Sequence, residues 1–428
     1  MGDKVLVNGY IKNGAQIEPG YIISDRESGI IAEFYIGAKY EGQFIGEHFE
    51  YNEDYVIEVG DFNAHSHPEQ SIYTDIVDKS WDLGTWCRNT IYKYSTELKS
   101  EHIYLGCCRA FSRMLALGVT SVMVSFYCHN NKGNEYDREV IRAAEDTGIR
   151  LYFGRMTYDI INEEAYEGKR NSQRCYFETP EEGEENFIQL YNEVKSTRVL
   201  VAPSVHSIHA STKEAIIRAI NLGNKYDRYV QFHLSEDNGD VELSLKLYGL
   251  RPIEFLSSLV DSGQVENLER VILSDCVWID EKERELIRKH GMKVVLNPRM
   301  NDRVKAGQAD LPKFISMDII PYLGTDGEAS NDDLSVTGER EYLKKKYGKD
   351  LENVIGDLGK APLKLGEGYV GALKVGSFCD IKVLKDASVS DVFVGGCQVI
   401  KDGELTTMDT AEDIEKPLTE KIGQIIAF

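Results

Sequence analysis

The stretch "GDFNAHSHPEQ", residues 60–70, places two histidines one residue apart, directly after the apolar run "YVIEV" at 55–59. Side chains two apart on a β-strand point to the same face. His65 and His67 can therefore reach a common point from one side of a strand. Which other residues reach that point depends on the strands that follow.

The composition is that of an ordinary globular protein, with 428 residues, 42% of them hydrophobic and 28% charged. The formal charge of -22 argues against nucleic acid or an anionic membrane as a main partner. We expect no signal peptide, and the sequence contains no apolar run near the roughly 18 residues of a membrane span. Eight cysteines without framework spacing indicate reduced thiols. We expect a cytoplasmic homodimer that acts on a small molecule.

Short β-rich apolar runs alternate with helical stretches along the middle of the chain. The helical stretches include "EVIRAAEDTG", "TKEAIIRAINLG" and "EKERELIRKHG". Eight strands separated by helices are the pattern of a TIM-like (β/α)8 barrel in the α/β class. The predicted strands are 56–63, 121–127, 149–156, 198–205, 229–234, 270–275, 293–298 and 319–326.

Both ends of the chain depart from this rhythm. Residues 4–36 and 373–405 contain short strands and turn signals such as "NGAQ" and "KDGE", without a long helix. We expect residues 1–55 and 366–428 to form one small β-sandwich domain from both termini. The catalytic barrel would then span residues 56–365.

Polar side chains with metal-binding or catalytic chemistry recur where the predicted strands end. Active sites of (β/α)8 barrels lie at the carboxyl ends of the strands, so these side chains are expected on one rim. The strand-end residues are His65, His67, Tyr127, His129, His206, His233, Asp275, Asn297 and Asp326.

Three imidazoles and a carboxylate with one open position suit a borderline divalent ion that activates water. Zinc is the expected ion, with Fe2+ as the alternative. The stretch "HLSE" adds a proton carrier, because Glu236 follows His233 by three residues where strand becomes loop. A carboxylate there can take a proton from water and deliver it to a leaving nitrogen.

Several segments together resemble the metal-dependent deaminase and chlorohydrolase branch of the amidohydrolase superfamily. They are the His65-x-His67 pair, "FHLSE" (232–236), "NPRMN" (297–301) and "GTDGEASND" (324–332). The terminal stretches "GALKVGSFCDIKVL" and "VFVGGCQVIKDGEL" resemble that branch's β-domain. The resemblance implies one metal ion bound by His65, His67, His233 and Asp326, with Glu236 as the acid/base.

A narrower likeness links the chain to N-formimino-L-glutamate deiminases. It rests on "HSHPEQ", "WCRNTIY", "SFYCHNNKG", "APSVHSIHAS" and "GLRPIEFL". This likeness implies substrate contacts at Gln70, Arg88, Tyr127 and His206. His209 stands where that family has an arginine for the substrate carboxylate.

Strand six departs from the superfamily pattern, because "ILSDCVW" has Asp275 where the superfamily places a histidine. A charged carboxylate accepts hydrogen bonds and donates none. Asp275 is therefore expected to act on water or on a substrate amino group. The main hypothesis is a deaminase or deiminase that cleaves a C–N bond of an amidine, a formimino compound or an aminated heterocycle. The alternatives are altered chemistry, such as hydrolysis of a cyclic amide, and a non-catalytic relative.

Overall fold

The computed structural model describes residues 3–358 and 362–426. Its strands are β1 (Lys4–Asn13), β2 (Gln16–Asp25), β3 (Ile31–Ile36), β4 (Glu47–Glu50), β5 (Tyr55–Val59), β6 (Asp61–Ser66), β7 (Val119–Phe126), β8 (Arg150–Thr157), β9 (Val199–Val205), β10 (Val230–Leu234), β11 (Val271–Asp275), β12 (Lys293–Leu296), β13 (Tyr322–Leu323), β14 (Leu363–Leu365), β15 (Gly368–Val370), β16 (Ile381–Lys385), β17 (Ser388–Val394), β18 (Cys397–Lys401) and β19 (Glu404–Leu405).

Most of the α-helices lie between the parallel strands. They are α1 (Leu83–Asn89), α2 (Ile91–Tyr94), α3 (Ser100–Ala116), α4 (Glu135–Thr147), α5 (Glu167–Tyr176), α6 (Pro180–Glu193), α7 (Lys213–Tyr226), α8 (Asn238–Tyr248), α9 (Pro252–Asp261), α10 (Glu281–His290), α11 (Pro298–Arg303), α12 (Leu311–Ser316), α13 (Val336–Tyr347), α14 (Glu352–Asp357) and α15 (Lys416–Ile426). None of the helices in the described part of the chain has both the length and the apolarity needed to cross a membrane.

Two four-stranded parallel sheets, β6–β7–β8–β9 and β10–β11–β12–β13, join at both edges. At one seam the amide of His233 donates to the carbonyl of His206 at 3.0 Å. At the other seam the amides of Thr325 and Asp326 both donate to the carbonyl of His65, each at 3.1 Å. The eight strands therefore close into a barrel, and the predicted (β/α)8 architecture is confirmed.

Strands from both termini share one nine-stranded sheet, in the order β19–β18–β17–β16–β5–β1–β2–β3, with β4 paired to β1. The two ends of the chain meet where β16 runs antiparallel to β5. Residues of β1, β2, β5, β16 and β17 pack into one apolar core. The terminal segments are thus joined by backbone hydrogen bonds and by a common core.

The predicted first strand, 56–63, is wrong in one respect, since it consists of two strands that meet at Gly60. Strand β5 belongs to the terminal sheet and β6 to the barrel, so the boundary expected at residue 55 falls too early. A Cβ on Gly60 would lie 2.2 Å from the side chain of Thr120. Only glycine lets the chain pass this closely between the two sheets. The predicted eighth strand, 319–326, is also shorter, because only Tyr322–Leu323 pair.

The interior of the barrel is filled by apolar side chains and closed at its amino end by the hairpin β14–β15. Phe62, Met123 and Tyr322 point inward and pack with Leu365 and Phe378. The expected domain boundary at residue 366 falls at the turn of this hairpin, which covers the barrel rather than extending the terminal sheet. Because that end is filled, substrate has access only to the opposite rim.

Buried charges connect the terminal sheet to the barrel. Asp61, at the start of β6, accepts a hydrogen bond from Lys382 of β16 at 2.8 Å and another from Arg340 of α13. Arg150 of β8 donates to both oxygens of Asp380, at 2.6 and 3.0 Å. These ion pairs are buried, so each partner depends on the other for compensation of its charge.

Replacing Asp61 by Asn is expected to lower the free energy of unfolding by about 3–5 kcal/mol, because Lys382 and Arg340 would remain buried without a counter-charge. These two cations lower the pKa of Asp61 from 3.8 to about 2, although its burial opposes the shift. The stabilisation is complete above the unfolded pKa and is lost as the pH falls through about 2. Urea unfolding of wild type and variant should therefore differ most near neutral pH and converge in acid.

The matched control is Glu58→Gln on β5, which removes a surface ion pair to Lys12. Such pairs contribute about 0.2–1 kcal/mol. An Asp61→Asn variant as stable as Glu58→Gln would contradict the role given to Asp61.

Candidate active site

The carboxyl ends of β6, β10 and β13 bring three histidines and an aspartate together. The ligating nitrogens of His65, His67 and His233 lie within 4.8 Å of one another, and all three side chains are buried. Asp326 Oδ1 lies 3.3 Å from Nε2 of His65 and 3.3 Å from Nε2 of His67. The four residues that the resemblance implied as ligands thus converge on one point.

Hydrogen bonds at the far side of each ring determine which nitrogen faces that point. His67 Nδ1 lies 2.6 Å from the carbonyl of Ser125, and His233 Nδ1 lies 2.9 Å from the carbonyl of His206. A carbonyl only accepts, so both Nδ1 atoms carry the proton. Burial lowers the pKa of His67 to about 4 and that of His233 well below its ordinary value. Both rings are therefore neutral and turn an Nε2 lone pair inward.

The arrangement of these lone pairs favours a cation bound between them. The Nε2 atoms of His67 and His233 are only 3.1 Å apart, and His65 Nε2 is buried without a hydrogen-bond partner. Tetrahedral ligands at about 2.0–2.1 Å from a zinc ion lie about 3.3 Å apart, close to the separations seen here. Two lone pairs and a carboxylate oxygen at these distances repel one another unless a positive ion lies between them. The residues present therefore fit a divalent metal ion.

Ser125 orients His65, a role that sequence analysis missed. Its Oγ lies 3.3 Å from His65 Nδ1 and donates to Gln231 Oε1 at 2.9 Å. Because that proton is engaged, Ser125 accepts from Nδ1–H and leaves His65 Nε2 for the metal. The only signal in the sequence is a serine within the apolar run "SVMVSFY".

Local backbone geometry aims Asp326 at the histidines. Its φ is +56°, in the left-handed region. Ser330 donates to Asp326 Oδ2 at 2.5 Å, so Oδ1 is the oxygen turned toward the imidazoles. A Cβ on Gly324 would lie 2.4 Å from Asn297 Oδ1 and 2.7 Å from His65 Cβ. Glycine is required there for β13 to approach β6 closely enough.

Asp275 closes β11 and lies fully inside the rim, with 1% of its surface exposed. Its Oδ1 accepts from Asn297 at 2.9 Å and from Asn301 at 3.2 Å, whereas Oδ2 is buried without a partner. Its φ of +78° is uncommon for a residue other than glycine, and such strain concentrates at functional sites. Asp275 therefore presents an unused acceptor inside the site.

Glu236 follows His233 after a left-handed turn at Ser235, whose φ is +53°. The amide of Ser235 donates to Asp240 Oδ2 at 3.1 Å, which fixes the turn before α8. This geometry holds the half-buried Glu236 between the end of the strand and the start of the helix. Its position three residues after His233 is thus set by the backbone turn at Ser235.

Three carboxylates influence one another on this rim. Burial, followed by the charges of Asp275 and Asp326, raises the pKa of Glu236 well above its usual range. Burial also raises the pKa of Asp275. A divalent cation opposes both shifts, since it favours ionised carboxylates nearby. The rim therefore holds three carboxyl groups whose ionised forms a nearby cation favours.

Aromatic side chains form one wall beside the histidines. The ring centroid of Tyr127 lies 5.7 Å from that of His67 and 4.7 Å from that of His206. His206 in turn lies 4.8 Å from His233 and 5.3 Å from Tyr158. Tyr158 was not predicted. The wall offers ring faces and edges on which a planar group can stack.

The remaining predicted substrate residues lie at different depths. Gln70 is buried beside Tyr127, with its Nε2 3.5 Å from the tyrosine hydroxyl. The side chain of His209 is 41% exposed and lies 3.2 Å from Asp240. Arg88 is exposed at the end of α1, where its guanidinium lies 5.2 Å from the ring of Tyr166. Gln70 thus reaches the inner site, His209 lies beside His206 with their ring centroids 5.4 Å apart, and Arg88 contacts Tyr166.

His129 is wrong as a residue of the rim. Its Nδ1 lies 3.0 Å from Asp137, and its Nε2 lies 2.9 Å from the carbonyl of Met156. The same Asp137 and Glu178 bind Arg155 in a buried network outside the barrel strands. The chain turns outward after Phe126, so His129 packs between strand and helix rather than over the site.

Glu69 is a further buried acid that sequence analysis missed. Its Oε2 has no partner, and burial raises its pKa to about 8. Asp326 adds to that shift, which indicates that the two carboxyl groups lie near each other. Its only signal was its position two residues after His67.

The fold and the site together define a metal-dependent hydrolase built on a (β/α)8 barrel. The family model described as the amidohydrolase family matches residues 56–399. The chain therefore belongs to the amidohydrolase family.

Individual relatives carry more specific names than the family. The chain is 25% identical over 393 residues to the 5-methylthioadenosine/S-adenosylhomocysteine deaminase of Syntrophobacter fumaroxidans, with 84% of each chain covered. It is also 25% identical over 399 residues to the 5'-deoxyadenosine deaminase of Methanopyrus kandleri, with 86% of each covered. Its fold is similar to that of a zinc-bound adenosine deaminase from Xanthomonas campestris, with a TM-score of 0.79, 20% identity, and coverage of 100% of this chain and 98% of that one. These relatives are named as deaminases, and the chain shares the amidohydrolase family and fold with such enzymes.

Replacing His67 by Ala is expected to reduce bound metal from about one ion per chain to a small fraction, because one of the converging nitrogens is lost. Metal content is measured by atomic emission on protein purified with added zinc. His209→Ala, whose side chain lies at the edge of the site, is the control and should retain the metal. Full occupancy in His67→Ala would show that the ion binds elsewhere.

Proposed function

We propose that this enzyme binds one zinc ion through His65, His67, His233 and Asp326 and removes an amino group from an aminated heterocycle as ammonia. The observation that carries the proposal is the 3.1 Å separation of two neutral Nε2 atoms beside the Asp326 carboxylate. When bound, a divalent ion supplies Lewis-acid chemistry and acidifies water toward neutral pH. The protein residues supply the remaining steps.

Glu236 carries the protons of the reaction. Its carboxylate takes a proton from the attacking water and delivers one to the amino nitrogen that leaves. The amine becomes ammonia, and the ring carbon keeps the oxygen. The turn at Ser235 supports this role, because it fixes Glu236 three residues from His233 without engaging it in a side-chain hydrogen bond among the described residues.

Tyr127 and His206 hold the heterocycle against the aromatic wall, and Gln70 contacts its inner edge. The ring separations of 4.7 to 5.7 Å in this wall support stacking or edge contact with a flat substrate. A formimino compound is the second candidate, favoured by the segments that resemble N-formimino-L-glutamate deiminases. The two candidates differ in shape: a heterocycle offers a planar ring to the aromatic wall, whereas a formimino compound has no ring.

Asp275 accepts a hydrogen bond from the substrate. Its free Oδ2 is buried in the rim, and Asn297 and Asn301 hold the other oxygen in place. An N–H of an amino or imino group satisfies that acceptor, whereas a carbonyl oxygen leaves it unpaired. We therefore infer that Asp275, at the end of β11, selects substrates that present a hydrogen-bond donor.

Glu236→Gln is expected to lose roughly 10²–10⁴-fold in kcat while keeping the fold and the metal, because the amide cannot exchange a proton with water. Ammonia release is measured across a panel of aminated purines, pterins and pyrimidines and a set of amidines. Glu242→Gln on the exposed side of α8 is the matched control. Loss of metal in Glu236→Gln would identify this residue as a ligand, and ammonia release from no compound by the wild type would overturn the proposed function.

Asp275→Asn is expected to lower kcat/KM by about 10-fold or more, since one carboxylate oxygen becomes an N–H donor facing the substrate donor. Asparagine tolerates positive φ, so the local backbone should persist. Circular dichroism and metal content verify the fold, and steady-state kinetics measure the effect. Unchanged kinetics in both Asp275→Asn and Asp275→Ala would make Asp275 a bystander.

A further inference from the structure

Two cations and two tyrosines form a cluster outside the metal-binding residues. The cluster consists of Arg88 at the end of α1, Tyr92 in α2, Tyr166 at the N-cap of α5, and Lys169 in α5. We call these four residues the mouth cluster. Sequence analysis had singled out only Arg88.

Stacking contacts connect the four side chains. The guanidinium of Arg88 lies 5.2 Å from the ring centroid of Tyr166, and Lys169 Nζ lies 5.2 Å from that of Tyr92. The two tyrosine rings meet edge to face, with their centroids 6.3 Å apart. Cation–π contacts within about 6 Å orient a cation without neutralising it.

Among the side chains that the structure describes, no carboxylate forms an ion pair with either cation of the mouth cluster. Arg174 on the same helix α5 differs, because it lies 3.3 Å from Glu163. The absence of a partner is notable in a chain whose formal charge is -22. An anion that approaches the mouth cluster can therefore pair with both cations without displacing an internal partner.

Helix α5, which carries Lys169, packs against the aromatic wall of the site. Gln173 of α5 donates to the hydroxyl of Tyr158 at 2.9 Å, and the ring centroid of Tyr176 lies 5.1 Å from that of Tyr127. Burial raises the pKa of Tyr92, and Cys87, Tyr158 and Glu236 add to the shift through their charges. Lys169 and Tyr92 thus lie on two packed helices, one of which contacts the residues that line the site.

Helix α5 is held in this position by α2. Ser172 donates to the carbonyl of Tyr92 at 3.3 Å, and a Cβ on Gly168 would lie 3.2 Å from the same carbonyl. Gln173 also accepts from the amide of Asn162 at 3.0 Å, which ties α5 to the preceding loop. Lys169 is therefore carried by a packed helix rather than by a free loop.

Glu236, Asp275 and Asp326 already place negative charge at the inner end of the site. A divalent metal ion compensates only part of that charge, so a further anionic group is unfavourable there. Like charges at close range in a buried site are strongly unfavourable. A substrate with a negative group must therefore turn that group outward, and the mouth cluster is the place where two unpaired cations meet it.

We propose that the substrate carries a carboxylate, which binds between Arg88 and Lys169 while its aminated ring lies against Tyr127 and His206. This inference rests on the proposed deaminase function and specifies the substrate class as heterocycles with an acidic substituent. Arg88 and Lys169 act in specificity and have no part in the proton transfers.

Matched compound pairs test the kinetic consequence. The pairs are pterin-6-carboxylate against pterin, and adenosine-5'-carboxylate against adenosine. In the zinc-loaded wild type, kcat/KM should favour the acidic member of an accepted pair. In Lys169→Met and in Arg88→Met this preference should fall by about 10- to 100-fold, because a hydrogen bond to a charged group is lost. The change should appear in KM rather than in kcat. Arg174→Met is the control and should keep the preference.

Direct binding separates this inference from the proposed function. Isothermal titration calorimetry compares the deaminated products, lumazine-6-carboxylate against lumazine and inosine-5'-carboxylate against inosine, on the same variants. The wild type should bind the acidic product more tightly than the neutral one, and Lys169→Met and Arg88→Met should abolish this preference. That result would support carboxylate binding by the mouth cluster even if no compound releases ammonia. Equal affinity for acidic and neutral members, no binding of either pair, or a preference unchanged in both variants would overturn it.

Discussion

The closure of the barrel between its first and last strands is the constraint on which the active site depends. A single carbonyl, that of His65, accepts hydrogen bonds from the amides of Thr325 and Asp326. These bonds bring residues about 260 positions apart in the chain into register. Because Gly324 has no side chain, β13 approaches β6 closely enough for Asp326 Oδ1 to lie 3.3 Å from two imidazole nitrogens. Backbone geometry thus assembles the ligands before any metal is considered.

Electrostatics then explains why this assembly requires a cation. Carbonyl acceptors hold the protons of His67 and His233 on Nδ1, so their lone pairs point at each other across 3.1 Å. Burial keeps both rings neutral, and the neighbouring carboxylates add negative charge in a region from which water is largely excluded. Under the proposed function the same acidity would also orient the substrate, since a second negative group is favourable only at the outer edge of the site. The proposals for metal binding and for substrate orientation therefore rest on one electrostatic argument.

The two ends of the barrel have different roles. The hairpin β14–β15 fills the amino end of the barrel, and the ion pairs of Asp61 and Arg150 fasten the terminal sheet to it. The opposite rim carries the converging histidines and carboxylates, and α5 contacts its aromatic wall through Gln173 and Tyr176. The chain belongs to the amidohydrolase family, and Asp275 and the mouth cluster are the residues through which we propose that it chooses its substrate.

The sequence by itself determined the barrel and the converging residues, because alternating apolar runs and helices report the burial of each segment, and parallel strands must end on one rim. It also identified His65, His67, His233 and Asp326 through motif likeness. Tertiary structure alone decided that β5 and β6 separate at Gly60, since both strands are apolar and only their pairing partners distinguish them. It likewise turned His129 away from the rim and brought Ser125 and Lys169 toward the site. The orientation of a side chain beyond a strand end depends on the loop that follows and on contacts with distant residues, and neither leaves a periodic signal in the sequence.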